Sequence, residues 1–171
     1  IRTEKAKPLE SGKHVEIMEN QKGISFENLF ADYLRGASSI TVYDPYIRHF
    51  YQVKNLSDFI QMILKIKTMG EEVEVKLVTK KEIHETNNQE SLLSRLEENL
   101  EGSGVNFSYE FDNRETFHAR SIVTDTGWKI VLDRGLNLFQ PYDYHDAFCL
   151  ANNIQEERLC KASEVTFIQN E

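Results

Sequence analysis

Cysteine is scarce in this chain. Cys149 and Cys160 are the only two among 171 residues. That is too few for a disulfide scaffold, and two reduced thiols are the expected state of a cytosolic domain. No hydrophobic run approaches the roughly 18–20 residues of a membrane span, and no secretory leader is visible. Basic charge is also short. Twenty Lys and Arg face 28 Asp and Glu, a net charge of −8. A duplex repels such a protein unless cations are concentrated locally, so nucleic acid is not the expected partner. The sequence has no internal repeat, and no metal site or cofactor is expected.

The composition that remains, 40% hydrophobic and 28% charged, is that of an ordinary globular domain with a sizeable core. The chain begins at Ile1, without an initiator Met. It reads as a piece of a longer protein. Residues 1–21 read as linker and N-terminal extension, and 22–171 as one domain. Periodicity and breakers divide that domain into elements. His14–Met18 reads as a short edge strand. Ser25–Arg35 reads as a Ser-capped amphipathic helix ended by Gly36. Strand Ser39–Tyr43, helix Leu56–Lys67, strand Val73–Thr79, helix Glu90–Leu100 and strand Val105–Phe111 follow. Phe117–Thr124 and Trp128–Leu132 read as a hairpin turning at Asp125-Thr-Gly. Ala147–Ala151 and Glu164–Ile168 read as further strands, with a short helix near Gln155–Cys160. Alternating helices and strands followed by a strand-rich tail predict an α/β domain with a mixed sheet flanked by helices. The early strands should be parallel and the late ones antiparallel.

The chemistry concentrates in the hairpin. His118 and Arg120 are two apart, so on a strand both leave one face. An imidazole, a guanidinium and the Asp125 carboxylate together suit a phosphate: imidazole attacks or binds it, Arg grips two oxygens, and Asp orients the imidazole. Lys129 and Arg134 add positive charge nearby. Acidic residues lie elsewhere, as at Glu90, Glu97, Glu98 and Glu101. In an open α/β sheet ligands bind beyond the carboxyl ends of strands. Arg48 and His49 follow the first such strand and Lys80 and Lys81 the second, so these residues are expected to rim the same end. Structural readings stand beside these. Asp125 has a turn role, Arg120 suits an ion pair, and His118 suits a core contact.

The spacing H-x-R-x4-D resembles the H-x-K-x4-D signature of the phospholipase D superfamily, and Gly135 and Asn137 resemble its trailing G-x-x-N element, though they are spaced G-x-N and Asn137 falls two residues later than usual after Asp125. Arg120 replaces the usual Lys, and there is one triad where most members carry two. The runs SITVYDPYIRHFYQVKNLSDFIQMI, FHARSIVTDTGWKIVLDRGLNLFQ and LCKASEVTFIQ together resemble the C-terminal phospholipase D-like domains of MIT-domain proteins. That resemblance implies a single-repeat phospholipase D-like fold, a non-catalytic role, a homodimer, and phosphoinositide-containing membranes as ligand. It also implies an N-terminal MIT domain, absent from this chain, that binds ESCRT-III subunits. The parent would act in cytokinetic abscission, as a cytoplasmic, peripheral membrane protein at midbody and late endosome.

Two functions follow from the site. Hydrolysis of this type uses two His residues, one attacking phosphorus and one protonating the leaving oxygen. With one His per chain, a phosphodiesterase would be active only as a dimer. Alternatively His118, Arg120, Asn137 and their basic neighbours bind a phosphate headgroup without turning it over, because Arg is a fixed fork where Lys is a mobile point charge.

Overall fold

The structure is a computed structural model that describes residues 9–84 and 88–170. β1 (Lys13–Ile17) is followed by α1 (Phe26–Leu34), β2 (Ser39–Tyr43), α2 (Phe50–Ile66), β3 (Val73–Thr79) and α3 (Gln89–Leu100). Then come β4 (Val105–Phe111), β5 (Ser121–Thr124), β6 (Trp128–Leu132), the short α4 (Leu150–Asn153) and β7 (Ser163–Gln169).

The strands form one mixed seven-stranded sheet in the order β1-β7-β6-β5-β2-β3-β4. β2, β3 and β4 are parallel, joined through helices, and every pairing from β5 onward is antiparallel. Helices α1, α2 and α3 cover one face through a single core. Phe26, Phe30 and Phe59 contact one another with ring centroids 6.0–6.1 Å apart. Tyr33 stacks on Phe167 at 4.0 Å, tying α1 to β7. Ser25 caps α1: its hydroxyl accepts the Asn28 N–H, and Asn28 returns the bond to the Ser25 N–H.

The sequence places most elements within a few residues. Three expectations need correction. Residues 13–17 are a strand of the sheet, paired with β7, so the folded unit starts before residue 22; residues 1–8 lie outside the described residues. Ala147–Ala151 is not a strand but turns and the start of α4. Its apolar residues Phe148 and Leu150 are exposed, and no sheet edge receives them. The first hairpin strand begins at Ser121, leaving Phe117–Arg120 irregular.

β1 runs antiparallel to β7, with Lys13 opposite Phe167 and Ile17 opposite Ser163. Residues 13 and 169 therefore lie at the end of the sheet that carries the 125–127 turn, and Asp44, Arg120 and Ser163 at the other.

Candidate functional site

β2 and β3 are parallel, and β5 runs against β2, so the end of β2, the end of β3 and the start of β5 meet at one edge. There a cleft of about 280 Å³ opens. Asp44, Tyr46, Arg120, Arg134 and Asn137 line it, with Gln52 and Asn55 contributed by α2.

Arg120 enters the cleft because its carbonyl accepts the Leu132 N–H at 3.0 Å, latching the backbone before β5 to the end of β6. Its guanidinium lies 4.6 Å from the Tyr46 ring centroid, and that of Arg48 lies 5.8 Å from the same ring. Both are within cation–π range. Arg134 donates from Nε to the Ala162 carbonyl at 2.6 Å, leaving its other nitrogens for a ligand. Asn137 accepts from Lys161 Nζ at 3.1 Å. That meeting is made by backbone pairing, in which the Lys161 N–H donates to the Leu138 carbonyl and the Gln140 N–H to the Leu159 carbonyl. Burial and the neighbouring Arg134 cation hold the Lys161 ammonium below the usual lysine range.

Asp44 is the carboxylate of this site. It is 5% exposed and accepts the Tyr46 N–H at 2.9 Å. Burial raises its pKa to about 6, opposed by the Tyr46 bond and by Arg120. A carboxyl with a raised folded pKa stabilises most when protonated. That contribution is fully present below about pH 4 and is lost as pH rises through 6. The shift of about two pKa units corresponds to about 3 kcal/mol. Asp44→Asn is therefore expected to flatten the acid-side pH dependence and to raise stability at pH 7.5 by up to about 3 kcal/mol, since the net shift already includes the Arg120 attraction. Urea unfolding of both proteins at pH 4.5 and 7.5 checks this; parallel curves for the two would contradict it.

Arg120, Arg134 and Asn137 are thus brought together as the sequence suggests. His118 is not in the lining. It is exposed in the irregular segment before β5, so the shared strand face expected for His118 and Arg120 does not form. Asp125 does not orient the triad. It lies beyond the far end of β5, about 16 Å of strand from Arg120, and both its carboxylate oxygens take the Ser38 N–H, at 3.0 and 3.3 Å. Its role is the turn. Lys129 pairs with Val123 and Ile168 at that same far end and is outside the cleft. Arg48, Lys80 and Lys81 do reach the carboxyl edge, but line a separate cavity with Glu82 and Glu115. There Arg48 Nε lies 3.5 Å from Glu82. His49 caps α2 and stacks on Tyr51 at 5.7 Å.

Sequence reasoning places the Asp44–His49 stretch at the strand end but singles out Arg48 and His49 in it, not Asp44 or Tyr46, and it does not reach Asn55 or Lys161. Asp44-Pro45-Tyr46 was within reach, since it directly follows the first parallel strand. Lys161 was not, because it depends on pairing across more than twenty residues.

A second cavity of about 310 Å³ adjoins the first and shares Asn55 and Asn137 with it. Tyr51, Tyr142, Tyr144 and Lys161 complete its walls. Behind it Arg158, 4% exposed, pairs with Asp58 at 3.1 Å and lies 4.2 Å from the Tyr142 ring centroid. Asp58 also accepts from Lys54 at 2.6 Å.

The model of the family "phospholipase D-like domain at C-terminus of MIT" matches residues 23–169, and the chain belongs to that family. MIT domain-containing protein 1 of Mus musculus is 31% identical over 129 residues, 75% of this chain. The chain spans about half (51%) of that relative's length. Among solved structures, Nuc of Salmonella typhimurium, a phospholipase D family member, aligns with a TM-score of 0.42 at 14% identity, covering 84% of this chain and 75% of Nuc. Phosphatidylserine synthase of Haemophilus influenzae Rd KW20 aligns with a TM-score of 0.46 at 10% identity, covering 92% of this chain and 34% of the synthase.

Proposed function

We propose that this domain binds phosphoinositide-containing membranes without hydrolysing them. The observation that supports this best is the composition of the cleft. Two guanidiniums and an amide converge on a space that suits a phosphate, while His118, the only imidazole in the superfamily-like motif, stands outside the lining. Guanidiniums grip a phosphate by paired bonds, and with no imidazole in its lining the cleft lacks the nucleophile that phospholipase D-type hydrolysis uses.

The wider reading follows from the family. In it, this domain is the membrane-contacting part of a homodimeric protein whose MIT domain engages ESCRT-III subunits. The protein would act in cytokinetic abscission, on midbody and late endosome membranes from the cytoplasmic side. A dimer fits the charge arithmetic. Each cation near an anionic leaflet contributes about 1 kcal/mol, so a single acidic chain with few aligned cations binds weakly, and two linked copies gain through effective concentration.

Flotation with liposomes of defined phosphoinositide content, at two salt concentrations, tests the reading. Arg120→Glu removes about 2 kcal/mol of attraction, so its binding is expected to fall about thirtyfold. His118→Ala is expected to float like the parent protein, and neither is expected to turn over a chromogenic phosphodiester. Turnover abolished by His118→Ala would favour the dimeric phosphodiesterase instead.

A further inference from the structure

Three large apolar side chains stand in solvent on neighbouring segments. Phe148 is 93% exposed, Leu150 61% and Phe50 50%. Single exposed apolar residues are ordinary, but a cluster marks a contact surface. Phe148 and Leu150 belong to the 142–150 loop. Phe50 reaches that loop through Tyr144, with 5.8 Å between ring centroids.

The loop is a firm support. Asp143 Oδ1 accepts the His145 N–H at 3.0 Å, and Asp146 Oδ1 accepts the Phe148 N–H at 2.9 Å. The Asp146 and Cys149 N–H groups donate to the Asp143 and Asp146 carbonyls, respectively. The Asn152 amide donates to the Tyr144 and Asp146 carbonyls at 3.1 and 3.0 Å, and the Asn153 amide to the Ala147 carbonyl at 2.8 Å. Arg158, paired with Asp58, holds the Ala151 carbonyl at 2.7 Å. Both carboxylates of the loop are engaged in these bonds. A tip whose backbone groups are satisfied from within can leave water, which is what a hydrocarbon environment demands.

The occupant follows from what adjoins the cluster. Tyr51 and Tyr144 wall the second cavity, which shares Asn137 with the Arg120 cleft. Across this surface the chemistry passes from phenyl and aliphatic groups, through tyrosines, to Lys161, Arg134 and Arg120. A bilayer offers the matching succession of acyl chain, interface and phosphate, and rings with a polar tip settle at its interface. It also receives a convex tip without a preformed pocket.

We infer that the 142–150 loop, with Phe50 beside it, is an apolar wedge that enters the outer acyl region of a bilayer while the Arg120 cleft holds a phosphate of the same surface. This rests on the membrane reading of that cleft. It adds a second anchor, burial of Phe148 and Leu150, which salt does not screen.

Phosphatidylcholine vesicles with and without phosphoinositide test it. Phe148→Trp puts an indole at the tip, and Trp128, the one native tryptophan, is 7% exposed. On phosphoinositide vesicles the emission of Phe148→Trp is expected to be quenched by lipids brominated along the acyl chain, and that of the parent protein is not. Phe148→Ser is expected to weaken flotation about tenfold, by the same factor at low and high salt, as for loss of one buried phenyl group. Leu150→Ser, at a second exposed position, is expected to weaken it several-fold in the same salt-independent way. Arg120→Glu is expected to lose most at low salt. Unquenched emission from Phe148→Trp on vesicles that float it would overturn the wedge and leave the phosphate reading intact. A Phe148→Ser protein that floats like the parent but sediments as a monomer where the parent is a dimer would overturn it and assign the patch to a second copy. If the parent protein does not float with phosphoinositide vesicles, both readings fail.

Discussion

Asp58→Ala is expected to destabilise the domain by about 4 kcal/mol, because it leaves a buried guanidinium without a counter-charge. Arg158 is held from three sides. Its Nη1 meets Asp58 at 3.1 Å, its Nε donates to the Ala151 carbonyl at 2.7 Å, and its plane lies 4.2 and 5.5 Å from the Tyr142 and Phe139 ring centroids. Removing Asp58 frees Lys54 harmlessly, since Lys54 can turn to water. It strands Arg158, which cannot. The double change Asp58→Ala with Arg158→Met should recover much of the loss, as replacement of a whole buried pair by apolar groups often does. Denaturant midpoints of the three variants make the comparison. A loss under about 1 kcal/mol in Asp58→Ala would show that water reaches Arg158 and that the pair is not structurally decisive.

Gly135→Ala should cost about 3 kcal/mol and weaken ligand binding at the same time. Two effects add. Gly135 has φ +61°, where a side chain costs about 1 kcal/mol. An added Cβ would also collide with the Asp44 carboxylate and come within 3.1 Å of Arg120 Cδ. Asp44 is buried and bonded to Tyr46, so it has little room to yield. Gly36→Ala separates the two effects: its φ is +80°, but nothing lies within 4 Å of an added Cβ. It should lose only the conformational part, about 1 kcal/mol. Equal losses in thermal unfolding would mean that the close approach to Asp44 contributes nothing. Vesicle flotation of Gly135→Ala reports whether Arg120 has shifted.

These particulars show what the sequence makes legible. The sheet is readable because its strands alternate: Val105, Phe107 and Tyr109 point to the core, Asn106 and Ser108 to solvent. The helices are readable for the same reason, at their own period. Gly135 and Asn137 stand two apart, one residue short of the G-x-x-N spacing, so the sequence points to them by likeness and not by an exact match. What misleads is distance along a strand. His118, Arg120 and Asp125 are close in number, yet a strand separates residues instead of gathering them, and Asp125 ends at the opposite edge, where it holds the Ser38 N–H. The carboxylate beside Arg120 comes from Asp44, which no local spacing links to it. Lys161 likewise arrives through pairing of 138–140 with 159–161. Sites assembled across a sheet leave their mark on register, and register is a property of the whole fold.

The antiparallel seating of β1 beside β7 has a mechanical consequence. Polypeptide leading into Lys13 and polypeptide leaving Gln169 both depart from the rim that carries the 125–127 turn. The Arg120 mouth opens at the opposite rim, so neither outer end of the β1–β7 pair crowds it.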